Sequence, residues 1–353
     1  MAKRLTVVLS QGQSQNPAKR DLEESIVAAL IMESGIDVVV IPHLYDLTPD
    51  STGMLALSSV SGHMVVLSWL FERATRWTLD RAGVQGQEGS TLLKSADDDE
   101  DEPAEATVDA DGKERVIDRR DQPKRKIYCI DLRVNNQPRV YIDELKRIYS
   151  ELNTQLVGLG LLDWVGGSAK PEQMQRFITP TNDTALGQPL ADAPQVLRIE
   201  GETARRWYPV IDYSRCTNCM ECIDFCLFGV YGVDKVDTIL VEQPDNCRKG
   251  CPACSRVCPE NAIIFPQHKT PAIAGSAEVA GSLKIDLSAL FGAPVEGQDA
   301  VAVAARERDE QLLLAGRDAV GLSVGIAKRQ PEKPAADKDE FDRLIDQLDE
   351  LDI

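Results

Sequence analysis

The stretch CRKGCPACSRVCPEN, residues 247–261, places four cysteines within twelve positions. A second set lies upstream in CTNCMECIDFC, residues 216–226, where successive cysteines are separated by two, two and three residues. The two stretches hold eight of the nine cysteines of the chain. Where thiols are kept reduced, clusters this dense are typical of metal binding or redox chemistry rather than of a disulfide framework.

The flanks of the two cysteine sets repeat as well. YPVIDYSRC leads into the first set and TILVEQPDNC into the second, while CLFGVYGV and CPENAIIFP follow them. This pattern predicts an internal duplication in which each half contains a strand, a cysteine loop, a short helix and a second strand.

These motifs resemble those of two-cluster bacterial-type ferredoxins, over about 60 of the 353 residues. The resemblance implies a ferredoxin domain at about 205–268 that binds two [4Fe–4S] clusters by crossed ligation. The first cluster would be held by Cys216, Cys219, Cys222 and Cys258. The second would be held by Cys247, Cys251, Cys254 and Cys226.

Two positions depart from the family pattern. Leu227 follows Cys226 where the family usually has proline, and the second loop has one residue more than the first, which we assign to Gly250. Since glycine admits unusual backbone angles, we expect it to widen the turn between Cys247 and Cys251 without removing a ligand.

Two other kinds of cysteine site are weighed against this interpretation. Cys247, Cys251 and Cys254 have the C-x3-C-x2-C spacing of radical enzymes, which resemble one another in an aromatic residue before the third cysteine and a long α/β barrel after it. Here that residue is Ala253, and fewer than 100 residues follow. Paired C-x2-C units can also hold structural zinc, but zinc leaves the third and fourth cysteine of each set unexplained.

The first 155 residues are expected to form a Rossmann-like or flavodoxin-like α/β domain. Four short apolar runs predict strands that are buried on both faces, at residues 5–9, 38–41, 64–67 and 127–130. Helical patterns at 16–35, 69–83 and 141–152 would provide the crossovers. In the first of these, Asn16 is the predicted N-cap and Pro17 the first helical residue.

The remaining segments are predicted from their composition. Residues 95–126, with nine acidic side chains between 97 and 111, are expected to be a disordered insertion. Residues 156–204 are expected to connect the domains. A linker and helical tail are expected at 269–353, ending in an amphipathic segment at 338–353 that would pack on its own core or on a partner.

Charge and hydropathy limit the partners. A formal net charge of −18 argues against nucleic acid or an anionic membrane surface. No apolar run is long enough to span a membrane, and the start of the chain lacks the apolar length of a secretory signal. The sequence therefore predicts a cytoplasmic protein.

Other candidate sites carry weaker patterns. The chain lacks GxGxxG and GxxxxGK[ST] motifs, although the loop SQGQSQNP at 10–17 could receive a phosphate as a flavodoxin-like FMN site does. His43, His63 and His268 lie far apart in sequence. Cys129 lies in a predicted strand, where a lone cysteine is most often a buried apolar residue.

The sequence thus predicts an iron–sulfur electron-transfer protein that relays single electrons between redox partner proteins, as a carrier or as a subunit of a redox complex rather than as an enzyme. Two alternatives stay open. One is a self-contained oxidoreductase whose α/β domain binds a flavin or another small cofactor, and the other is a non-catalytic redox sensor or scaffold.

Overall fold

The computed structural model describes residues 4–93, 113–166, 196–199, 201, 203–276 and 300–322. Its N-terminal part is a six-stranded parallel sheet, so the predicted α/β class is confirmed. The strands are β1 (Leu5–Ser10), β2 (Ile36–Ile41), β3 (Met64–Ser68), β4 (Gln87–Glu88), β5 (Lys126–Asp131) and β6 (Val196–Arg198). They lie in the order β4-β5-β3-β1-β2-β6. Within it, the order β2-β1-β3-β5 is that of flavodoxin-like sheets, whose topological switch point lies between β1 and β3.

Helices cover both faces of this sheet. On one face, α1 (Pro17–Leu30) and α4 (Pro138–Gly166) share an apolar core with the strands. On the other face lie α2 (Thr52–Ser59) and α3 (Glu72–Arg81). Coverage of both faces explains why the strands read as continuous apolar runs.

The start of α1 is as predicted, but its end is not. The Asn16 side chain accepts a hydrogen bond from the Ala18 N–H, and Pro17 opens the helix. The helix ends at Leu30, five residues before Gly35, which has a φ of 84° and turns the chain into β2. A Cβ at Gly35 would lie 2.2 Å from the Tyr149 hydroxyl, so packing as well as backbone conformation favours glycine.

Two segments predicted to lack sheet or ordered structure are part of the fold. Within the predicted connecting region, β6 pairs with β2 at the edge of the sheet. The prediction of disorder at 95–126 is wrong for 113–126, which includes a 3₁₀ turn, Val116–Arg119. Val116 is 6% exposed, and Arg115 pairs with Glu260, so these contacts offset the entropy lost on ordering.

The cysteine region forms a second, smaller unit with the predicted repeat. Its first half runs β7 (Val210–Ile211), cysteine loop, α5 (Glu221–Phe225) and β8 (Tyr231–Val233). The second half runs β9 (Ile239–Val241), cysteine loop, α6 (Ala253–Val257) and β10 (Ile263–Ile264). Antiparallel pairing of β7 with β10 and of β8 with β9 gives the unit an approximate two-fold arrangement.

The two units are joined by a buried interface. Tyr45, in a turn after β2, stacks on Tyr208 with ring centroids 4.2 Å apart. From α3, Arg73 forms an ion pair with Asp212 and donates to the Asn261 carbonyl. These contacts hold the carboxyl-terminal side of β2 and helix α3 against the cysteine unit.

In the described residues that follow the cysteine unit lie the helices α7 (Pro271–Ala274) and α8 (Ala300–Leu314). The tail expected at 269–353 was predicted to be helical, and α8 is a helix within it. The amphipathic segment predicted at 338–353 lies outside the described residues, so its docking role stays a prediction.

Candidate iron–sulfur centres

The structure brings the eight clustered cysteines together as two sets of four. Cys216, Cys219 and Cys222 from the first loop line one cavity with Cys258, which comes from the second half. This cavity has a volume of about 360 Å³, its open mouth included. Three cysteines of one loop and one of the other half thus face the same space.

The second cavity has the reciprocal arrangement. Cys247, Cys251 and Cys254 line it with Cys226, which comes from the end of the first cysteine run. Its volume is about 330 Å³, again including the mouth. Both cavities are therefore lined by the sets that the ferredoxin resemblance implied.

Backbone conformation explains how the first loop curls around its cavity. Asn218 and Met220 have φ values of 61° and 66°, which turn the chain between the cysteines. The Asn218 N–H donates to the Cys216 Sγ at 3.4 Å, and its side-chain oxygen accepts the Ile239 N–H at 2.9 Å. The asparagine therefore fixes both the loop and one sulfur.

The second loop keeps this turn but places its additional residue elsewhere than predicted. Gly250 has a φ of 86° and immediately precedes Cys251, as Asn218 immediately precedes Cys219. Gly250 is thus the counterpart of Asn218, and the additional residue lies at Arg248 or Lys249. The assignment of the extra position to Gly250 is therefore corrected.

The missing proline after Cys226 leaves the local geometry of the two halves alike. The Cys226 N–H donates to the Cys222 carbonyl at 3.1 Å, and the Cys258 N–H donates to the Cys254 carbonyl at 3.2 Å. Both cysteines end a short helix in an extended conformation. The Ala262 N–H also donates to the Cys258 Sγ at 3.3 Å. Leu227 therefore changes neither the direction of the chain nor the placement of the fourth cysteine.

The surroundings of the cysteines oppose ionisation of their thiols. Burial raises the pKa of the Cys216 thiol to about 11, and the neighbouring thiols Cys258 and Cys219 contribute to this rise. Burial likewise raises the pKa of Cys251 to about 11 and those of Cys222 and Cys254 well above the usual range. Thiolates here need compensating positive charge, which the irons of a cluster would supply.

Among the described residues, no three or more His, Cys, Asp or Glu side chains are arranged around a point that a single metal ion would occupy. A tetrahedral zinc site needs four ligands about 2.0–2.3 Å from the ion. The cysteines instead line the walls of two separate cavities.

The surroundings of the two cavities differ. Of the eight cysteines, Cys219 alone is exposed, and it belongs to the first cavity. At the second cavity, the hydroxyl of the buried Tyr231 donates to the Cys254 Sγ at 3.1 Å. The second cavity is also lined by Arg308 from α8, which lies outside the cysteine unit.

Sequence reasoning missed both Tyr231 and Arg308 as site residues. Tyr231 lies in the apolar run that follows the first cysteine set, so only its hydroxyl in an otherwise apolar strand could have indicated a polar contact. Arg308 lies 50 residues beyond Cys258, and no local pattern links the two positions.

Cys129 is not brought together with the other cysteines. It lies in β5, is 7% exposed and packs in the apolar core of the α/β domain. Burial raises the pKa of its thiol strongly, so it remains protonated and unreactive at neutral pH.

The loop after β1 is already occupied by the protein's own side chains. The Gly12 N–H donates to the Glu23 carboxylate at 2.7 Å, and the Trp69 ring N–H donates to the same oxygen at 2.7 Å. A Cβ at Gly12 would lie 3.0 Å from the Trp69 ring. A buried carboxylate at this position opposes a phosphate, so the geometry does not favour an FMN site of the flavodoxin kind.

Each histidine has a structural partner. His43 lies 3.4 Å from the Asp46 carboxylate, His63 accepts the Lys126 N–H, and His268 accepts the Thr270 N–H. Burial and the nearby Arg256 lower the pKa of His268 to about 4. These side chains support the fold around turns.

A segment of 66 residues is 52% identical to an uncharacterized ferredoxin of Methanocaldococcus jannaschii. The match covers 18% of this chain and 44% of that ferredoxin, so the chain spans less than half the length of this relative. No protein-family profile and no solved structure matches the chain. Part of the chain is thus similar to a ferredoxin, which suggests iron–sulfur electron transfer.

Within the residues that the structure describes, no helix has both the length and the apolar character needed to cross a membrane.

Proposed function

We propose that this protein carries single electrons through two [4Fe–4S] clusters, one in each cysteine cavity, as a carrier or subunit of a redox complex. The observation that carries the proposal is the crossed convergence of the cysteines into two sets of four. The similarity of a segment to a ferredoxin supports the same chemistry. The clusters supply one-electron redox chemistry when bound, and the chain's own residues bind them and set their surroundings.

The cavities suggest distinct roles in this relay. Cys219 is exposed, so a cluster in the first cavity would lie near solvent, where a redox partner protein would exchange electrons with it. The second cluster would be shielded by the short helices and by α8, since Phe225, Ala253 and Ala304 form a buried apolar group beside it. A shielded site holds an electron away from water and oxidants.

A reductive titration tests the proposal. The anaerobically purified protein should take up about two electrons per chain in reversible one-electron steps, because each cluster accepts one. A partner protein is not needed for this measurement. Uptake without recovery on re-oxidation, or uptake coupled to unfolding, would instead favour the sensor or scaffold function.

The flavin-dependent alternative is tested separately. Added FMN should not bind to the holoprotein, because Glu23 and Trp69 occupy the loop after β1. Binding measured by quenching of flavin fluorescence would revive the self-contained oxidoreductase.

A further inference from the structure

The two cavities differ in the charged side chains that line them. Glu221 and Glu260 line the first cavity, and the second is lined by Arg248 and Arg308. Glu260 is paired with Lys113 and Arg115, so part of its charge is compensated. The difference in charge between the two cavities therefore comes chiefly from the two arginines of the second cavity.

Arg308 is an arginine held almost entirely inside the protein. Its residue exposure is 1%, and its guanidinium lies 4.5 Å from the centre of the Phe225 ring. It donates to the Gly321 carbonyl and to the Asp309 carboxylate, the latter at 3.1 Å. Arg308 lines the second cavity and Asp309 does not, so the positively charged member of this ion pair is the one that lies at the cavity with the cysteines.

The position of Arg308 is fixed by the packing of α8. Ala304 packs against Phe225 and Ala253 of the cysteine unit, and Glu307 pairs with Arg256 of α6 at 2.9 Å. A helix from outside the ferredoxin-like unit thus delivers a cation to its second cavity.

A cation in this position favours additional negative charge nearby. Reduction adds one electron to a cluster, and potential depends on charge, on hydrogen bonds to sulfur and on exposure. Coulomb interactions are strong where water is excluded, and the buried Arg308 lines the same cavity as Cys226 and Cys251. The hydrogen bond from Tyr231 to Cys254 acts in the same direction.

We propose that Arg308 raises the reduction potential of the cluster in the second cavity, making it the site where the electron of the singly reduced protein resides. The inference rests on the proposed function, because it requires a cluster in each cavity. Electrons that enter near the exposed Cys219 then pass inward to the shielded cluster. Helix α8 is on this account part of the redox centre.

The test compares Arg308→Gln with Arg306→Gln in the full-length holoprotein. Both changes remove one positive charge from α8, but Arg306 is exposed and Arg308 is buried beside the second cavity. Iron is measured first, and the two midpoint potentials are then obtained by redox titration monitored by EPR. Arg308→Gln should lower the higher midpoint potential and so reduce the difference between the two midpoints. Arg306→Gln should leave both midpoints nearly unchanged. Arg308→Lys keeps the positive charge, so its higher midpoint should lie close to the wild-type value.

Equal shifts in the Arg308→Gln and Arg306→Gln proteins, or a shift confined to the lower midpoint, would overturn the inference while leaving the relay intact. If Arg308→Gln fails to retain iron, Cys258→Ser decides the matter, because Cys258 lines the first cavity and its loss should leave only the cluster of the second cavity. That remaining cluster should titrate at the higher wild-type midpoint, and titration at the lower midpoint refutes the inference. A wild-type protein without two clusters refutes the proposed function itself.

Discussion

The stacked tyrosines that join the two units should respond very differently to the same small substitution. The Tyr45 hydroxyl donates to the Tyr208 carbonyl and accepts the Tyr208 N–H at 2.6 Å. The Tyr208 hydroxyl donates to the Tyr45 carbonyl at 2.8 Å. Both side chains are essentially inaccessible to water, so water cannot replace a hydrogen-bond partner that a backbone N–H or carbonyl loses there.

The magnitudes follow from the number of backbone groups affected. Tyr45→Phe leaves a buried N–H and a buried carbonyl without this partner, at about 1–3 kcal/mol for each, or roughly 2–6 kcal/mol together. Tyr208→Phe leaves one buried carbonyl without its partner, at about 1–3 kcal/mol. The Arg81 guanidinium lies 4.4 Å from the centre of the Tyr208 ring, a contact that Tyr208→Phe keeps. The ring stacking is kept in both variants.

The assay is urea unfolding of the anaerobic holoproteins, followed by tryptophan fluorescence after a fixed incubation. The urea midpoint should fall in the order wild type, Tyr208→Phe, Tyr45→Phe. Because the two variants lose the same atoms from the same stacked pair, each serves as the control for the other. Equal midpoints, or a larger loss for Tyr208→Phe, would refute the docking of the two units through Tyr45.

Three further predictions follow from individual side chains. Tyr231→Phe should lower the midpoint potential of one cluster by on the order of tens of millivolts, because it removes a buried hydrogen bond to Cys254; an unchanged EPR titration would contradict this. Cys258→Ser should reduce the iron content to about half while the matched Cys129→Ser keeps it whole, as measured by iron analysis; full iron in the former would exclude crossed ligation. The lowered pKa of His268 predicts a pH effect on stability. The unfolded chain binds a proton at His268 below about pH 6.5, whereas the folded chain binds it only near pH 4. Stability is therefore unaffected by this proton above pH 6.5, and the free energy of unfolding decreases as the pH falls from 6.5 toward 4. Between pH 7.5 and 5.5 the urea midpoint should therefore fall further in the wild type than in His268→Gln, and identical losses would show that His268 does not contribute.

The sequence predicted those features that are encoded locally. The strands around Leu5, Val38, Met64 and Ile127 are found because their apolar runs are bounded by turns. The sets that line the two cavities are those that the resemblance to two-cluster ferredoxins implied.

The features that were missed depend on contacts distant in sequence. The strand β6 has only three residues, two of them exposed, and is held by pairing with β2. Residues 113–126 read as polar, yet Val116 and Arg115 gain their contacts from Cys216 and Glu260, about 100 or more positions away. Arg308 reaches the second cavity only because α8 packs on α6.

The most direct test of the two-cluster account is iron and sulfide analysis of the anaerobically purified protein, combined with EPR after reduction with dithionite. The account predicts about eight irons and eight sulfides per chain and the broadened spectrum of two interacting reduced clusters. About four irons, or zinc in place of iron, would contradict it, since one or both cysteine cavities would then hold something other than a [4Fe–4S] cube.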